Sequence, residues 1–238
     1  MTINTPHQTI LITGVSSGIG AALAVGYAAP NITLILTARN QERLEKVAEQ
    51  CRAKGATVLT ACIDVREKEK LADYIKSADA QHPIDLLIAN AGISAGFSQT
   101  AEENYQNADE VFATNLQGVL NSLHPIIPRM VARGRGQLAI MASLAGICAL
   151  PGAPAYSASK AAVRYYGEAL ATKLAAHGVA VSVICPGWIT TPLTDRNDFP
   201  MPWIISAERA AQRIASGIRQ RQRLILFPRR LGWPLLLL

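Results

Sequence analysis

The chain has 238 residues, and its 23 Lys and Arg outnumber 17 Asp and Glu, which gives a formal net charge of +6. This length suits one α/β domain, and we expect a single domain over residues 1–238. Seven Arg and one Glu lie between Ser206 and the C-terminus, so the excess charge belongs to that region alone. The distribution argues against a nucleic-acid-binding protein.

The cysteines and histidines give no sign of a metal site. Four Cys and four His are scattered, without a Cys-x-x-Cys pair, so we expect reduced thiols and no bound metal. No apolar run approaches the roughly 20 residues that span a bilayer. The N-terminus lacks the basic region of a secretory signal. These features predict a cytoplasmic protein.

Short apolar runs alternate with longer amphipathic segments along the chain. In chain order we predict strand Thr9–Thr13, helix Gly18–Ala28, strand Thr33–Ala38, helix Gln41–Lys54, strand Thr57–Ile63, helix Glu67–Ala78, strand Asp85–Ala89, helix Glu102–Val131, strand Gln137–Ala142, helix Ala155–His177, strand Val179–Cys185, helix Ser206–Arg219 and strand Leu224–Phe227. The helix from Glu102 is expected to bend or break near Pro125 and Pro128. Gly178 is expected to stop the helix before it, and Ser206 to cap the last helix.

This alternation of strands and helices predicts the fold class. Right-handed crossovers then produce an α/β fold: one Rossmann-type, doubly wound, mainly parallel sheet of seven strands. The stretch Gly187–Ile205, rich in Pro and aromatic residues, is the one irregular segment.

A glycine-rich turn follows the first predicted strand. It is built from Gly14, Val15, Ser16, Ser17, Gly18, Ile19 and Gly20. Glycine allows a tight turn and a close approach of a pyrophosphate, which the next helix N-terminus attracts. The spacing is G-x-x-x-G-x-G rather than the usual G-x-G-x-x-G, and a plain strand-to-helix turn is the alternative.

The residues after the next strands predict which nucleotide binds. Ala38 stands where an acidic residue would bind ribose hydroxyls, and Arg39 follows it. A guanidinium suits a 2′-phosphate, so NADP(H) is preferred over NAD(H), although Arg39 as a solvated loop charge is the alternative. Asp64 is predicted to accept from the adenine amino group. Further cofactor contacts are predicted at Val65, Asn90, Ala91 and Gly92.

A second group of residues lies in the later half of the chain. Tyr156 and Lys160 are four residues apart on a predicted helix, and so lie on one face. Ser143 closes a strand and lies at the carboxyl edge of the sheet, where ligands bind in open α/β folds. Asn115 lies within the long preceding helix, where simply bending the helix is the alternative to a role in catalysis.

These residues, in this order, resemble the short-chain dehydrogenase/reductase family in its compact form. The resembling motifs are Thr-Gly-x-x-x-Gly-Ile-Gly, Asn-Ala-Gly, a single Asn, a single Ser and Tyr-x-x-x-Lys. Pro186, Gly187, Ile189 and Thr191 resemble the family's segment beside the nicotinamide. The resemblance covers Thr9 to about Pro192 closely and continues more loosely to Phe227.

The resemblance implies roles that agree with the chemistry of these groups. Tyr156 exchanges a proton with the substrate oxygen, and Lys160 lowers the pKa of Tyr156 and holds the nicotinamide ribose. Ser143 binds the substrate oxygen, and Asn115 positions a water that relays protons to Lys160. One departure is Ser17, because many NADP-preferring relatives carry a basic residue there. The NADP(H) preference therefore rests mainly on Ala38 and Arg39.

Substrate specificity is expected in three segments, Ser94–Phe97, Leu144–Leu150 and Trp188–Trp203. The aromatic side chains of the last segment favour a small apolar or lipid-like carbonyl or alcohol. Closure of a lid or contact with a second subunit is the alternative. The tail at 228–238 combines Arg with Trp and Leu, which suits either packing on a partner subunit or a peripheral membrane contact.

We therefore predict reversible interconversion of a carbonyl and an alcohol with NADP(H), on a small-molecule substrate. The resemblance implies a homodimer or homotetramer paired through the helices at Glu102–Val131 and Ala155–His177. Three rivals stay open: a catalytically silent NADP(H)-binding regulator, a membrane-peripheral scaffold, and lyase or isomerase chemistry on the same fold. The presence of Asn115, Ser143, Tyr156 and Lys160 together favours the oxidoreductase.

Overall fold

The computed structural model describes residues 2–95, 104–195, 197, 199–228, 230 and 232. Its strands are β1 (Thr9–Thr13), β2 (Thr33–Ala38), β3 (Thr57–Cys62), β4 (Leu86–Ala89), β5 (Gly136–Met141), β6 (Val179–Pro186), β7 (Ile189–Thr190), β8 (Ile205–Ser206) and β9 (Leu224–Phe227). Its helices are α1 (Gly18–Tyr27), α2 (Gln41–Arg52), α3 (Lys68–Gln81), α4 (Tyr105–Phe112), α5 (Gly118–Leu123), α6 (Ile127–Arg133), α7 (Pro154–Ala175) and α8 (Ala207–Arg219).

The main sheet has seven strands in the order β3-β2-β1-β4-β5-β6-β9. Its six strand pairings are all parallel. The chain builds outward from β1 to β3 and then returns to the other side of β1 with β4. This reversal opens a crevice at the carboxyl ends of β1 and β4, where doubly wound folds bind their ligands. The predicted Rossmann-type, seven-stranded fold is confirmed.

The sheet is buried on both faces because helices cover each of them. Alternate residues of one strand point to opposite faces, so Ile10 and Ile12 pack under α1, α2 and α8. Leu11 points the other way, into the layer formed with α3, α5 and α7. Each such buried side chain contributes about 1.5–3 kcal/mol, which explains the continuous apolar runs in the strands.

Two predicted helix signals are seen in the structure. The hydroxyl of Ser206 accepts a hydrogen bond from the backbone N–H of Arg209 at 3.3 Å and caps α8. Gly178, just after α7, adopts a φ of +72°, and a Cβ there would lie 2.1 Å from the carbonyl oxygen of Gly134. Only glycine fits this turn between α7 and β6.

The stretch predicted as helix over Glu102–Val131 is broken between α5 and α6, near Pro125 and Pro128 as predicted, but its π-helical turn was not predicted. Its described part divides into α4, a π-helical turn at Ala113–Gln117, α5 and α6. Pro125 lacks the N–H that would continue α5, and Pro128 lies in the first turn of α6, where that loss costs nothing. The π-helical turn inserts an extra residue, which changes the direction in which Asn115 points.

Some predictions fall on residues outside the described ranges. These are the start of the helix predicted from Glu102, residues 96, 97, 196 and 198 of the predicted substrate segments, and most of the tail at 228–238. Gly187–Ile205, predicted as irregular, contains the short parallel pair β7 and β8. Among the described helices none is long and apolar enough to cross a membrane.

Candidate active site

One cavity of ≈ 860 Å³ lies along the carboxyl edge of the main sheet. It is lined by residues that follow β1 to β6. The predicted residues that line it are Gly14, Ser16, Ser17, Gly18, Ile19, Gly20, Arg39, Asp64, Val65, Asn90, Ala91, Gly92, Ser143, Tyr156, Lys160, Pro186, Gly187, Ile189 and Thr191. The structure therefore brings together the two groups of residues that lie far apart in the sequence.

The glycine-rich turn is shaped so that its backbone can approach a ligand. Gly14 and Gly18 have φ angles of +73° and +58°, which side chains rarely adopt. A Cβ on Gly20 would lie 2.4 Å from the carbonyl oxygen of Gly14. Ser17 precedes α1 without capping it through its side chain, so the first N–H groups of α1 are available to an anion. This cradle fits the pyrophosphate of a dinucleotide.

Asn90 joins the ends of β1 and β4 beneath the glycine-rich turn. Its side-chain amide donates to the carbonyl oxygens of Thr13 and Gly14, at 2.9 and 3.1 Å. The hydroxyl of Thr13 in turn accepts from the backbone N–H groups of Asn90 and Ala91. Asn90 was predicted to contact the cofactor, and it lines the cavity, but its amide is engaged in holding the turn.

The far end of the cavity, after β2 and β3, carries the positive charge. Ala38 and Arg39 lie there as predicted, and the Arg39 side chain is half exposed. Arg43 joins them, a lining residue that the sequence analysis missed. Its signal was present in Asn40, whose side chain accepts from the backbone N–H of Arg43 and begins α2. A first-turn position of α2 directs Arg43 toward the same loop as Arg39.

Asp64, predicted to accept from adenine, already has a partner in the structure. One carboxylate oxygen accepts from Nε and Nη2 of Arg66 at 3.0 and 2.7 Å. The other accepts from the Arg66 backbone N–H at 3.0 Å. Burial raises the pKa of Asp64, but Arg66 and, more weakly, Arg39 hold it below its usual value overall. Val65 beside it is buried, and its carbonyl oxygen accepts from Asn121.

Ser143 follows β5 and lines the half of the cavity opposite the adenosine end. Its hydroxyl oxygen accepts from the backbone N–H of Ala145 at 3.1 Å and caps the short 3₁₀ turn Leu144–Gly146. The hydroxyl proton is thus left for donation into the cavity. The turn lies close against α7, because a Cβ on Gly146 would come within 2.6 Å of the backbone of Lys160.

Tyr156 and Lys160 lie one turn apart on α7, as the sequence predicts. The Lys160 amine is 5.7 Å from the centre of the Tyr156 ring and donates to the carbonyl oxygen of Met141 at 2.9 Å. Burial lowers the pKa of Lys160 to about 8. Burial also raises the pKa of Tyr156, and the neighbouring Ser143 hydroxyl counteracts this. Both groups are therefore displaced from their usual values, as expected at a reactive site.

Asn115 is the one predicted site residue that does not line the cavity. It lies fully buried in the π-helical turn Ala113–Gln117. Its amide oxygen accepts from the backbone N–H of Ile93 at 2.8 Å, and its nitrogen donates to the Ile93 carbonyl and to the Ser159 hydroxyl. The Asn115 side chain thus holds the strand end after β4 against α7.

Gly92 lies between Asn115 and Lys160. A Cβ at this position would lie 3.2 Å from the amide oxygen of Asn115 and 3.2 Å from the amine of Lys160. The absence of a side chain therefore allows these two polar groups to approach the same point from two helices.

The segment after β6 closes the cavity on the side of Tyr156. Pro186, Gly187, Ile189 and Thr191 line it as predicted. Thr194, which the sequence analysis missed, holds this segment: its hydroxyl donates to the Ile189 carbonyl at 2.6 Å and accepts from the Thr191 N–H at 3.0 Å. No local pattern marks Thr194, because its role depends on the way the segment turns back on itself.

The large apolar residues of Trp188–Trp203 divide into two groups. Trp188 and Phe199 line the cavity and pack edge to face, with ring centres 5.3 Å apart. Met201 and Trp203 are not among the lining residues, and Trp203 is largely exposed. All four were predicted to lie in the substrate region, but Met201 and Trp203 lie outside the cavity lining.

Comparison with known proteins decides the family. The family described as short chain dehydrogenase matches residues 8–199, which include the glycine-rich turn, Ser143, Tyr156 and Lys160. The chain belongs to the short-chain dehydrogenase family. As a short-chain dehydrogenase it is an oxidoreductase of CH–OH or keto groups.

Relatives of this short-chain dehydrogenase cover most of its length. An uncharacterized oxidoreductase of Myxococcus xanthus (strain DK1622) is 33% identical over 229 residues, 96% of this chain and 90% of its own. Gluconate 5-dehydrogenase of Gluconobacter oxydans (strain 621H) is 32% identical over 187 residues, 78% of this chain and 73% of its own.

Solved structures with the same fold hold either nucleotide. A short-chain dehydrogenase from Sphingobium yanoikuyae in complex with NADPH has a TM-score of 0.84 at 25% identity, covering 95% of this chain and 90% of that one. A short-chain dehydrogenase/reductase from Burkholderia phymatum in complex with NAD has a TM-score of 0.87 at 24% identity, covering 96% and 91%. The fold alone therefore does not decide the cofactor of this chain.

Proposed function

We propose that this short-chain dehydrogenase interconverts a carbonyl group and a secondary alcohol with NADP(H), on a small apolar or lipid-like substrate. The observation that carries the proposal is one continuous cavity with two chemically different ends. Tyr156, Ser143 and Lys160 lie at one end, and Arg39 and Arg43 at the other. An extended dinucleotide fits between them, with the glycine-rich turn at its middle.

In the proposed reaction the protein positions the substrate oxygen and moves its proton. The nicotinamide supplies the hydride in reduction and accepts it in oxidation. The Ser143 hydroxyl donates a hydrogen bond to the carbonyl oxygen, where negative charge develops. The Tyr156 hydroxyl gives its proton to the same oxygen, which becomes the alcohol.

Lys160 makes the loss of a proton from Tyr156 feasible. A positive amine beside the ring stabilises the tyrosinate, which burial alone would disfavour. The pKa of Lys160, lowered to about 8, still leaves most of the amine protonated at neutral pH. The predicted water relay through Asn115 stays part of the proposal. Because the Asn115 amide is engaged with Ile93 and Ser159, the backbone of the π-helical turn would hold such a water.

The preference for NADP(H) rests on the charges at the adenosine end. Two arginines, Arg39 and Arg43, line the cavity after β2. Ala38 offers no carboxylate that would bind ribose hydroxyls and repel a phosphate. Guanidinium groups bind phosphate through paired hydrogen bonds, so these residues favour a nucleotide that carries a 2′-phosphate.

The first experiment measures both nucleotides and the reaction together. Fluorescence titration is expected to give a lower Kd for NADPH than for NADH, and a panel of ketones and aldehydes is expected to include one that oxidises NADPH. Tyr156→Phe should keep NADPH binding and lose turnover by at least about a hundredfold, the usual contribution of a general acid. Tight binding without turnover on any substrate would instead favour the silent regulator, and equal affinity for NADH would reject the cofactor preference.

An apolar substrate is supported by the lining of the cavity near Tyr156. Of the described lining residues, four are charged: Arg39, Arg43 and Asp64 lie at the adenosine end, and Lys160 serves Tyr156. The segments after β5 and β6 line the cavity mainly with apolar residues, and the uncharged polar Ser143, Thr194 and Asn197 lie among them. The apolar residues are Leu144, Cys148, Leu150, Pro151, Trp188, Leu193, Phe199 and Pro200.

Trp188 and Trp203 provide a matched test of this substrate class. Trp188→Ala should raise KM for apolar ketones about tenfold or more, because a large aromatic wall of the site is lost. Trp203→Ala removes an exposed indole outside the cavity and should leave KM unchanged. Equal effects of the two substitutions would contradict an apolar site formed by Trp188.

We also propose a homodimer or homotetramer paired through the helices α4, α5 and α7. Exposed aromatic side chains lie on α4, at Tyr105 and Phe112, and on α7, at Tyr165. The helices α4 and α7 are in contact with each other, and exposed aromatic groups are enriched at protein interfaces. The choice between dimer and tetramer is left to measurement of mass in solution.

A further inference from the structure

Asp64 is a carboxylate that lies between two arginines at the adenosine end of the cavity. Its side chain is mostly buried, and it is the one acidic residue among the described residues that line the cavity. Arg66 binds it with three hydrogen bonds of 2.7 to 3.0 Å, two from the guanidinium and one from the backbone. The Arg39 guanidinium is 3.8 Å away, within reach of an ion pair but beyond hydrogen-bonding distance.

This arrangement decides how much of the charge of Arg39 is available to a ligand. An unpaired carboxylate at 3.8 Å would attract Arg39 and would also repel a 2′-phosphate bound beside it. Arg66 neutralises that carboxylate and occupies the oxygen that faces Arg39. Arg39, which lines the cavity, is then left with hydrogen-bond donors that Asp64 does not engage.

We propose that Arg66 is a positioning residue for cofactor choice: by binding Asp64 it frees Arg39 for the 2′-phosphate of NADP(H). The inference rests on the proposed NADP(H) preference and adds a residue that does not itself line the cavity. It also assigns Asp64 a second effect, since a carboxylate at this position is compatible with a phosphate only while Arg66 holds it.

The other charged groups around this pair do not replace Arg66. Glu67 accepts from the Asp64 backbone N–H and from Lys70, so its charge is already compensated on the first turns of α3. Glu110 on α4 lies near enough to raise the pKa of Arg66, but Arg66 keeps its hydrogen bonds to Asp64. Arg43 lines the cavity on the side of Arg39 and makes no ion pair with Asp64 among the described contacts.

The test is a double-mutant cycle read out as the ratio of NADPH to NADH affinity. Arg66→Gln should weaken NADPH binding about fivefold and leave NADH binding unchanged, the scale expected for a partly exposed ion pair. Asp64→Asn in the same protein should restore the ratio, because the carboxylate that competes for Arg39 is then gone. Arg52→Gln on α2 removes the same charge from a pair with Glu45 and should change neither affinity.

Each outcome separates the possible explanations. If the double variant keeps the loss of NADPH affinity, Arg66 binds the phosphate directly and the inference is wrong. If Arg66→Gln weakens both nucleotides equally, its role is structural and the inference is also wrong. If the wild-type protein does not prefer NADPH to NADH, the proposed cofactor preference is itself wrong, whatever the variants show. A preference that falls as salt is raised from low ionic strength would further support charge as the cause.

Discussion

Lys160 is buried, and its positive charge there destabilises the folded protein. It is 3% exposed, its hydrogen bond goes to the Met141 carbonyl, and burial lowers its pKa to about 8 from 10.5. The folded protein therefore gives up this proton at a lower pH than the unfolded chain does. A shift of this size corresponds to about 3 kcal/mol of destabilisation at neutral pH. This cost is consistent with a residue retained for catalysis rather than for stability.

The pH dependence of unfolding checks this interpretation. Between about pH 8 and 10.5 the unfolded chain binds a proton at Lys160 that the folded protein does not, so the free energy of unfolding rises with pH. Denaturant titration gives the free energy of unfolding of the cofactor-free protein and of Lys160→Met. The first value minus the second should increase by about 2 kcal/mol from about pH 7.5 to pH 10. Lys173→Met, at an exposed position of the same helix, is the control for the loss of one lysine charge, and a flat difference for Lys160→Met would contradict the shift.

Single residues also show the limit of reading a site from local sequence. Arg39 was predicted because it follows a strand directly, and Arg43 could have been added from the cap at Asn40. Arg66 and Thr194 had no such signal, since each acts through a partner reached by a turn of the backbone. The spacing of motifs does not predict a residue that acts by binding another residue of the protein rather than a ligand.

Among the elements, α3 and α6 are joined by a buried carboxylate. Asp79 on α3 is fully buried and pairs with Arg129 and Arg133 of α6, the latter at 2.7 Å. It also accepts from the backbone N–H of Ile84 at 2.9 Å. Burial raises the pKa of Asp79, but the hydrogen bonds and positive charges of these donors together lower it by more. The pKa of Asp79 therefore lies below its usual value. The short α6, only two turns long, depends on this anchor.

Asp79→Asn should therefore destabilise the protein by about 2 to 3 kcal/mol at neutral pH, because it leaves partly buried arginines without a counter-charge. The contribution of the Asp79 carboxylate is present above the unfolded pKa of about 4 and is lost as the pH falls through its lowered folded value. Chemical unfolding should show the gap between the two proteins narrowing below about pH 4. Asp73→Asn, exposed on the same helix, is the control and should cost little. A gap that persists undiminished in acid would exclude the ion pairs as its cause.

The π-helical turn shows how an element can differ from its local pattern. The prolines at 125 and 128 predicted the break between α5 and α6, but no residue pattern around Asn115 predicted the π-helical turn. Tertiary contacts of Asn115 with Ile93 and Ser159 hold the extra residue of the turn. An insertion of this kind is stabilised by partners on other elements, which explains why it could not be predicted locally.

For the whole molecule, self-association is the property most open to test. Tyr165 is 64% exposed on α7 and lies on the face proposed for pairing. Tyr165→Glu should dissociate the oligomer, because the new charge would be desolvated at the core of the interface. Light scattering should then give the mass of a monomer. Gln50→Glu adds the same charge on α2, across the sheet, and should leave the mass unchanged. An oligomer that survives Tyr165→Glu with unaltered mass would place the interface elsewhere.

The architecture followed from the order of apolar and amphipathic segments. Buried parallel strands and amphipathic helices have short-range signatures, and the rule of right-handed crossovers then leaves few arrangements. The glycine-rich turn, Ser143, Tyr156 and Lys160 were predictable for the same reason, because their spacing is set within single strands, turns and helices. Their meeting at one cavity followed from the common edge of a parallel sheet.

Tertiary structure alone decided which side chains share a contact. It separated Trp188 and Phe199 from Trp203, placed Arg66 on Asp64, and introduced the π-helical turn at Asn115. These outcomes depend on the distances between residues that belong to different elements or to the two sides of one turn. Periodicity and spacing describe the chain along its length, and contacts across the fold arise only when the packed elements meet.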